Sequence, residues 1–358
     1  ARAVLEIFRG CSHGCRFCQA GMVYRPVREK SAKRLTDLAT KIIDDTGYGE
    51  LSMSSLSTSD YSELKELTEI LTKELCDRRV GLSLPSLRID AFSLELAQKV
   101  QEMRKSGLTF APEAGTQRLR DVINKGVTAG DLLSSMKDAF SCGWNTVKLY
   151  FMIGLPTETY EDLEGIAELA NSVVDVYRQV HGNTRGLKVT VSTSTFVPKP
   201  HTPFQWAHQI TLEEIEDRQR YLKGLLRNRS IRYNWHDGRL SILEAVFSRG
   251  DRRLNQVLAL AQKKGCKFDG WHEIFSFERW REVFEEVGIS TDFYASRERS
   301  KDEILPWEVI DAGIDKRFLW RELEKSQKGE TTPDCRDHRC NACGVNRIKG
   351  GGICEVKA

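Results

Sequence analysis

Short β-rich runs alternate with amphipathic helical stretches through residues 1–225, and no other property of the chain restricts its fold as much. The β-rich runs fall at 3–8, 50–56, 80–84, 108–111, 145–153 and 188–195. Helical patterns occupy 35–46, 61–76, 94–106, 116–123, 129–141, 159–180 and 212–227. In the second of these, Leu64, Leu67, Ile70, Leu71 and Leu75 recur at the spacing that lines one side of a helix. A strand, a helix and a further strand return by a right-handed crossover, which makes the strands parallel. The six units predict an α/β fold, a partial (β/α)6 TIM-like barrel that stops short of a closed ring.

A parallel barrel gathers its chemistry at the C-terminal ends of its strands, and that is where this sequence is unusual. Behind the first run stand Cys11, Cys15 and Cys18, in Arg9-Gly-Cys-Ser-His-Gly-Cys-Arg-Phe-Cys18. Three thiolates on one tight loop suit soft metals and iron–sulfur clusters. Cubanes normally take four cysteines, and structural zinc sites close with four ligands. A loop that supplies three therefore points to a cluster with one iron left open to something other than protein. A zinc knuckle is the alternative reading, and it lacks a fourth ligand nearby. Ser57-Thr58-Ser59-Asp60 follows the second run, Glu113-Ala114-Gly115 the fourth, and Gly154-Leu155-Pro156 the fifth. The sixth ends in a Pro-rich segment, Phe196 to Phe204. The fold predicts that all five converge on one mouth.

The composition is that of a globular chain with room for an appendage, 358 residues with 29% charged. Net charge is +3, so charge indicates no nucleic-acid partner, and no apolar stretch is long enough to span a bilayer. Seven of the ten cysteines cluster at 11–18 and 335–354, which reads as metal sites in a reducing cytoplasm. Cys76, Cys142 and Cys266 read as small buried hydrophobes. The chain opens on Ala1, with no initiator Met, in what reads as a core strand, as a fragment would.

With these residues in view, the chain resembles the radical S-adenosylmethionine (SAM) superfamily. The cysteine loop has that superfamily's spacing, with an aromatic residue, Phe17, before the last cysteine. Lys148-Leu-Tyr-Phe-Met-Ile-Gly-Leu-Pro-Thr-Glu158 resembles the fifth-strand motif of the branch with methylthiotransferases, coproporphyrinogen dehydrogenases and cobalamin-dependent members. Phe196 to Trp206 resembles the sixth-strand end in part of that branch. Ser248-Arg-Gly-Asp-Arg-Arg-Leu254, Leu305-Pro-Trp307 and the terminal cysteines resemble an uncharacterised family often fused behind a cobalamin-binding-like domain.

The resemblance implies that Cys11, Cys15 and Cys18 hold a [4Fe–4S] cluster whose fourth iron binds SAM. Its reductive cleavage then yields a 5′-deoxyadenosyl radical. Cofactor contacts are expected from the backbone at Phe17, from Ser57, Thr58 and Ser59 on the methionine end, and from Glu113 on the ribose or amino group. Gly154 would let the backbone approach the adenine, and Ile153 would pack on the ring. Lys148, on the inward face of its strand with Tyr150 and Met152, is a further candidate, able to hold a carboxylate. Each has a plainer role beside it. Ser57–Ser59 suit a helix N-cap, Glu113 a cap for the helix at Thr116, Gly154-Leu155-Pro156 a strand-ending turn, and Lys148 a solvated or paired side chain. His13, His201 and His208 are weak candidates. The basic run from Arg25 to Arg34 reads as a solvated helix entry, with an anion site as the alternative.

Residues 1–228 are expected to form the barrel, 229–330 a mostly helical extension, and 331–358 a cysteine-rich tail. The tail carries Cys335, Cys340, Cys343 and Cys354 in Gly-rich polar chain that metal would order, as zinc or a second iron–sulfur cluster. His338 is a substitute ligand, and Asn346 stands where the resembled family has a further cysteine. The leading reading is a radical SAM enzyme that abstracts hydrogen from, or starts methyl or methylthio transfer to, an unidentified substrate. A reductant such as flavodoxin or ferredoxin is implied as partner. Cobalamin-linked methyl transfer, with cobalamin on an upstream domain, and a nonenzymatic iron–sulfur or zinc protein are the alternatives.

Overall fold

The computed structural model describes residues 2–76, 78–83, 89 and 107–347. The helical pattern at 94–106, the end of the third run at Leu84, and Cys354 lie outside these residues.

The first sheet runs in the order β1 (Ala3–Glu6), β4 (Glu50–Ser54), β5 (Gly81–Ser83), all parallel. Between β1 and β4 come a short antiparallel pair, β2 (Phe8–Arg9) with β3 (Arg28–Glu29), and the helices α1 (Gln19–Val23) and α2 (Ala32–Thr46). The first run thus breaks at Ile7, and the pair that follows brackets the cysteine loop. Helix α2 starts where the Ser31 hydroxyl accepts from the Arg34 N–H, and ends at Gly47 in the left-handed conformation. Its stripe of Leu35, Ala39 and Ile43 packs with Leu67, Leu71 and Leu75 of α3 (Leu64–Cys76) against Leu5, Leu51 and Met53. Period-two strands have turned one face to period-3.6 helices.

The second sheet runs β6 (Leu108–Glu113), β7 (Thr146–Ile153), β8 (Lys188–Thr195), β9 (Ile231–Trp235), again parallel throughout. Its crossovers are α4 (Gln117–Val122), α5 (Ala129–Ser141), α6 (Tyr160–His181) and α7 (Leu212–Leu225). Capping boxes at Thr128/Asp131, Thr159/Asp162 and Thr211/Glu214 set three of their starts. Val147, Leu149, Phe151, Ile153, Val189, Val191 and Ile231 share one core with these helices. Helices therefore cover one face of each parallel sheet, which is the α/β architecture of a partial barrel.

Strand β9 lies within the segment that reads as helical from sequence. Its alternation is short, and Trp and charged residues mask it, yet Val189 to Thr193 pair along it in register. The rest of that segment is helical, as expected: α8 (Gly238–Arg249), α9 (Leu254–Lys263), α10 (Phe277–Val287), α11 (Thr291–Tyr294) and α12 (Lys316–Gln327). Helices α8 to α11 extend the core on the helix side of the second sheet. Residues 305–345 do something different. Leu305, Trp307, Phe318, Leu319, Leu323, Cys343 and Val345 join Met22, Ala114, Met152, Leu155 and Phe196 in a separate apolar cluster at the strand ends. The C-terminal segment is thus packed over the mouth of the barrel. Among the described residues no helix is long and apolar enough to cross a membrane.

Candidate active site

The cysteine loop fills the gap between β2 and α1. It turns in at Gly10, at φ +91°, where a Cβ would stand 2.3 Å from the Pro26 carbonyl oxygen. No side chain fits there. Cys18 is the N-cap of α1, and its Sγ accepts from the Gly21 N–H at 3.3 Å. The three thiols are unbridged and half-buried. Burial, opposed by a backbone N–H and reinforced by the neighbouring thiols, pushes Cys11 up to about 11. Burial and Cys15 push Cys18 up as well. Among the described residues no three Cys, His, Asp or Glu side chains close around a single metal ion. Three thiols on one turn instead suit a larger, cationic iron–sulfur core, which would hold them as thiolates.

Arg16, inside the loop, is fully buried. Its guanidinium donates to the Asp121 and Val122 carbonyls at 3.1 and 3.0 Å, to Glu322 of α12 at 3.2 Å, and to the Glu330 carbonyl at 2.7 Å. Asn124 donates to the His13 and Gly14 carbonyls and to that of Thr332, and Thr332 donates back to Asn124 at 2.8 Å. Next to Cys11, the Ser12 hydroxyl donates to Asp334 at 3.0 Å. His13 lies 2.6 Å from Asp60, and Arg336 completes the knot on Asp334. The loop is therefore clamped by the turn after α4, by α12 and by the start of the tail. Sequence reasoning passed over Arg16 and Asn124, because an arginine between ligands and an asparagine after a helix look like solvated residues. Only the fold buries them.

Arg25 is a second surprise. The basic run reads as solvated, yet Arg25 is 5% exposed, stacked over Phe318, with one nitrogen donating to the Gly21 carbonyl. Its two terminal nitrogens have no partner. One lies 3.6 Å from where a Cβ on Gly14 would be. A buried guanidinium without acceptors is costly. An anionic cluster with its thiolates, held on this loop, would supply them.

The other predicted residues fall at the strand ends with one clear exception and one reorientation. Ser57 and Thr58 are buried around a single 3-10 turn, Ser59 beside them. The Ser57 hydroxyl has no partner and caps neither this turn nor α3, which begins at Leu64. Glu113 follows an irregularity in β6, at φ +69°, paired with Lys125 at 3.3 Å. Burial raises its carboxyl and Lys125 opposes the shift. Thr116, not Glu113, caps α4. Gly154, at φ +77°, could carry no Cβ without meeting Ile210 at 2.6 Å. Its N–H donates to Glu158 at 2.8 Å, and Arg218 holds the same carboxylate oxygen at 3.0 Å. Burial pushes Glu158 up to about 7 despite both partners. Phe17 is half-buried against the mouth cluster.

Ile153 does not face the mouth. Strand alternation puts it with Val147, Leu149 and Phe151 in the helix-side core, and Met152 takes the inward place. Lys148 is inward, as expected, but sits five residues below Ile153, about 17 Å along the strand. Its ammonium lies 4.3 Å from the centre of the Tyr150 ring. The Pro-rich run after β8 packs into the mouth through Phe196, Phe204 and Trp206. Gln205 accepts from Trp307 at 2.8 Å and from the His201 N–H, and the Gln205 carbonyl accepts from buried Arg249. His208 is exposed beside Glu298. In the tail, Cys343 is buried in the mouth cluster, Cys340 is exposed and Cys335 half-buried. His338 is exposed.

The model of the radical SAM superfamily matches residues 5–170. An uncharacterized protein of Methanocaldococcus jannaschii is 30% identical over 290 residues, 80% of this chain and 60% of that protein. An uncharacterized methyltransferase of Pyrococcus horikoshii is 25% identical over 180 residues, 49% of this chain and 38% of that one. The chain thus spans between about two fifths and three fifths of these relatives. Among solved structures, the radical SAM methyltransferase TsrM of Kitasatospora setae, with cobalamin and a [4Fe–4S] cluster, aligns at a TM-score of 0.44 and 15% identity. That alignment covers 57% of this chain and 39% of that one.

Proposed function

The chain belongs to the radical SAM superfamily of enzymes, and on that premise we propose that Cys11, Cys15 and Cys18 hold a [4Fe–4S] cluster that leaves one iron for SAM. The observation that carries the proposal is the convergence of three unbridged thiols with unsatisfied donors, the buried Arg25 guanidinium and the Ser57 hydroxyl. Bound there, the cluster and SAM supply one-electron cleavage of the sulfonium C–S bond and a 5′-deoxyadenosyl radical.

This chain's residues bind, orient and exclude water. Ser57, Thr58 and Ser59 would hydrogen-bond the methionine end, and Glu113, steered by Lys125, would take the ribose or amino group. The Gly154 backbone, pinned by Glu158, and the backbone at Phe17 would hold the adenine. Met152, Leu155, Trp206 and Trp307 form the dry wall around them. With that chemistry supplied, the barrel would hold a substrate for hydrogen abstraction or for methyl or methylthio transfer. The similarity to a methyltransferase supports transfer. A flavodoxin or ferredoxin supplies the electron. The tail cysteines, Cys335, Cys340 and Cys343 with Cys354, bind a second metal, a cluster or zinc. The Ser12–Asp334 hydrogen bond sets Cys335 beside the cysteine loop and supports that reading.

The test is anaerobic reconstitution with iron and sulfide, then SAM and dithionite. Formation of 5′-deoxyadenosine by the chain and its absence in Cys15→Ala are expected. No product from the wild type refutes the proposal. Iron analysis with Mössbauer spectroscopy decides the tail: near four irons per chain excludes a second cubane. Added cobalamin, with S-adenosylhomocysteine as readout, tests the cobalamin-linked route.

A further inference from the structure

The inner face of the second sheet is polar where a closed barrel would be filled with branched apolar side chains. Alternation from the helix-side core turns Lys148, Tyr150 and Met152 of β7 inward, with Thr190, Ser192 and Ser194 of β8 and Arg232 and Asn234 of β9. The strand register sets them in rows. Thr109, Lys148, Thr190 and Arg232 form one row, and Tyr150, Ser192 and Asn234 the row above it. Lys148 and Arg232 stand two strands apart, about 10 Å between backbones, with the Thr190 hydroxyl between them.

Neither cation has a counter-ion among the described residues. Lys148 rests on the Tyr150 ring, and Arg232 makes no ion pair. No Asp or Glu occupies an inward position on β7, β8 or β9. The acid at the end of β6, Glu113, is held by Lys125. Arg232 is exposed on the edge strand and Lys148 partly exposed, so an anion from solvent can reach both. The row also lies five residues, about 17 Å, below the end of β7, where the proposed function would put SAM.

We propose that Lys148 and Arg232 form an anion subsite that grips a carboxylate or phosphate at the far end of the substrate. Arg232 provides a planar fork for two oxygens and Lys148 a point charge, with Thr190, Ser192 and Asn234 as neutral donors. The substrate is then elongated and anionic, with its reacting end toward the mouth. This rests on the proposed function, since the barrel must be the reaction chamber.

The test is calorimetric titration of the full chain at low salt with succinate and, separately, inorganic pyrophosphate. The two arms distinguish carboxylate from phosphate. One saturating site is expected in at least one arm, weakened about tenfold by Arg232→Gln or Lys148→Gln and about a hundredfold by both. Arg232→Lys should recover part of the loss, and thermal melts check that each variant folds. Dithionite-driven 5′-deoxyadenosine formation without substrate should be unchanged in both Gln variants. No saturable binding in either arm, or binding indifferent to both substitutions, overturns the subsite. Loss of 5′-deoxyadenosine in the variants also overturns it, placing the row on SAM. Its absence in the wild type is the separate failure of the radical SAM reading.

Discussion

The clamp between the cysteine loop and the C-terminal helix makes the sharpest prediction. Arg16 and Glu322 pair with 0% and 3% of their side chains exposed. Breaking a buried pair from one side leaves an uncompensated charge, which costs about 3–5 kcal/mol. In Glu322→Ala the guanidinium keeps the carbonyls of Asp121, Val122 and Glu330, so the lower end applies. Thr332 also loses the carboxylate that its hydroxyl contacts at 2.9 Å. A loss of about 3 kcal/mol, on the order of a hundredfold in the folding equilibrium, should appear in urea denaturation of the unreconstituted chain. Arg16→Met alone leaves the buried Glu322 carboxylate with only Lys325 at 3.4 Å and the Thr332 hydroxyl. The double variant strands neither charge, so it should be milder than the sum of the singles by about 2 kcal/mol. The loop should lose grip on its cofactor, with less iron retained after desalting although all three cysteines remain. A cost below about 1 kcal/mol, or strict additivity, would refute the clamp.

Three further outcomes follow from the site. Glu158 titrates near 7 in the folded chain, above its unfolded value, so the folded state binds the extra proton between about pH 4.5 and 7. Its contribution to stability is therefore largest at low pH and declines as pH rises through 7; Glu158→Gln should flatten the pH dependence of the urea midpoint in that window, and an unchanged slope would count against the assignment. Gly10→Ala drives a Cβ into the Pro26 and Tyr24 carbonyls, so iron binding should collapse while far-ultraviolet circular dichroism stays near wild type. Arg25→Met should raise the stability of the unreconstituted chain by removing an unsatisfied charge, and lower iron retention. If it lowers stability instead, the guanidinium is satisfied without a cofactor.

Much of this protein was legible because its information is local. The strands at Lys188–Thr195 and Thr146–Ile153 and the helix at Ala129–Ser141 follow from apolar period and capping residues a few positions apart. The cysteine triplet announces itself by spacing alone. The side-chain direction of Ile153 was misplaced because the last residue of a strand can turn either way, until the helices that bury it are known. Strand β9 was missed because its pairing comes from a distant strand, Val191 opposite Tyr233 and Thr193 bonded to Tyr233, not from its own pattern.

What the sequence determined by itself was therefore the kind of fold and the family: alternating periods dictate parallel strands under helices, and three closely spaced thiols mark the radical SAM loop. Tertiary structure decided what surrounds that chemistry. It buried Arg16 and Arg25, carried Glu322 and Asp334 from the far end of the chain to the loop, and brought Lys148 and Arg232 into one row. The physical reason is that burial, ion pairing and register are properties of neighbours in space. They have no signature until the chain has closed on itself.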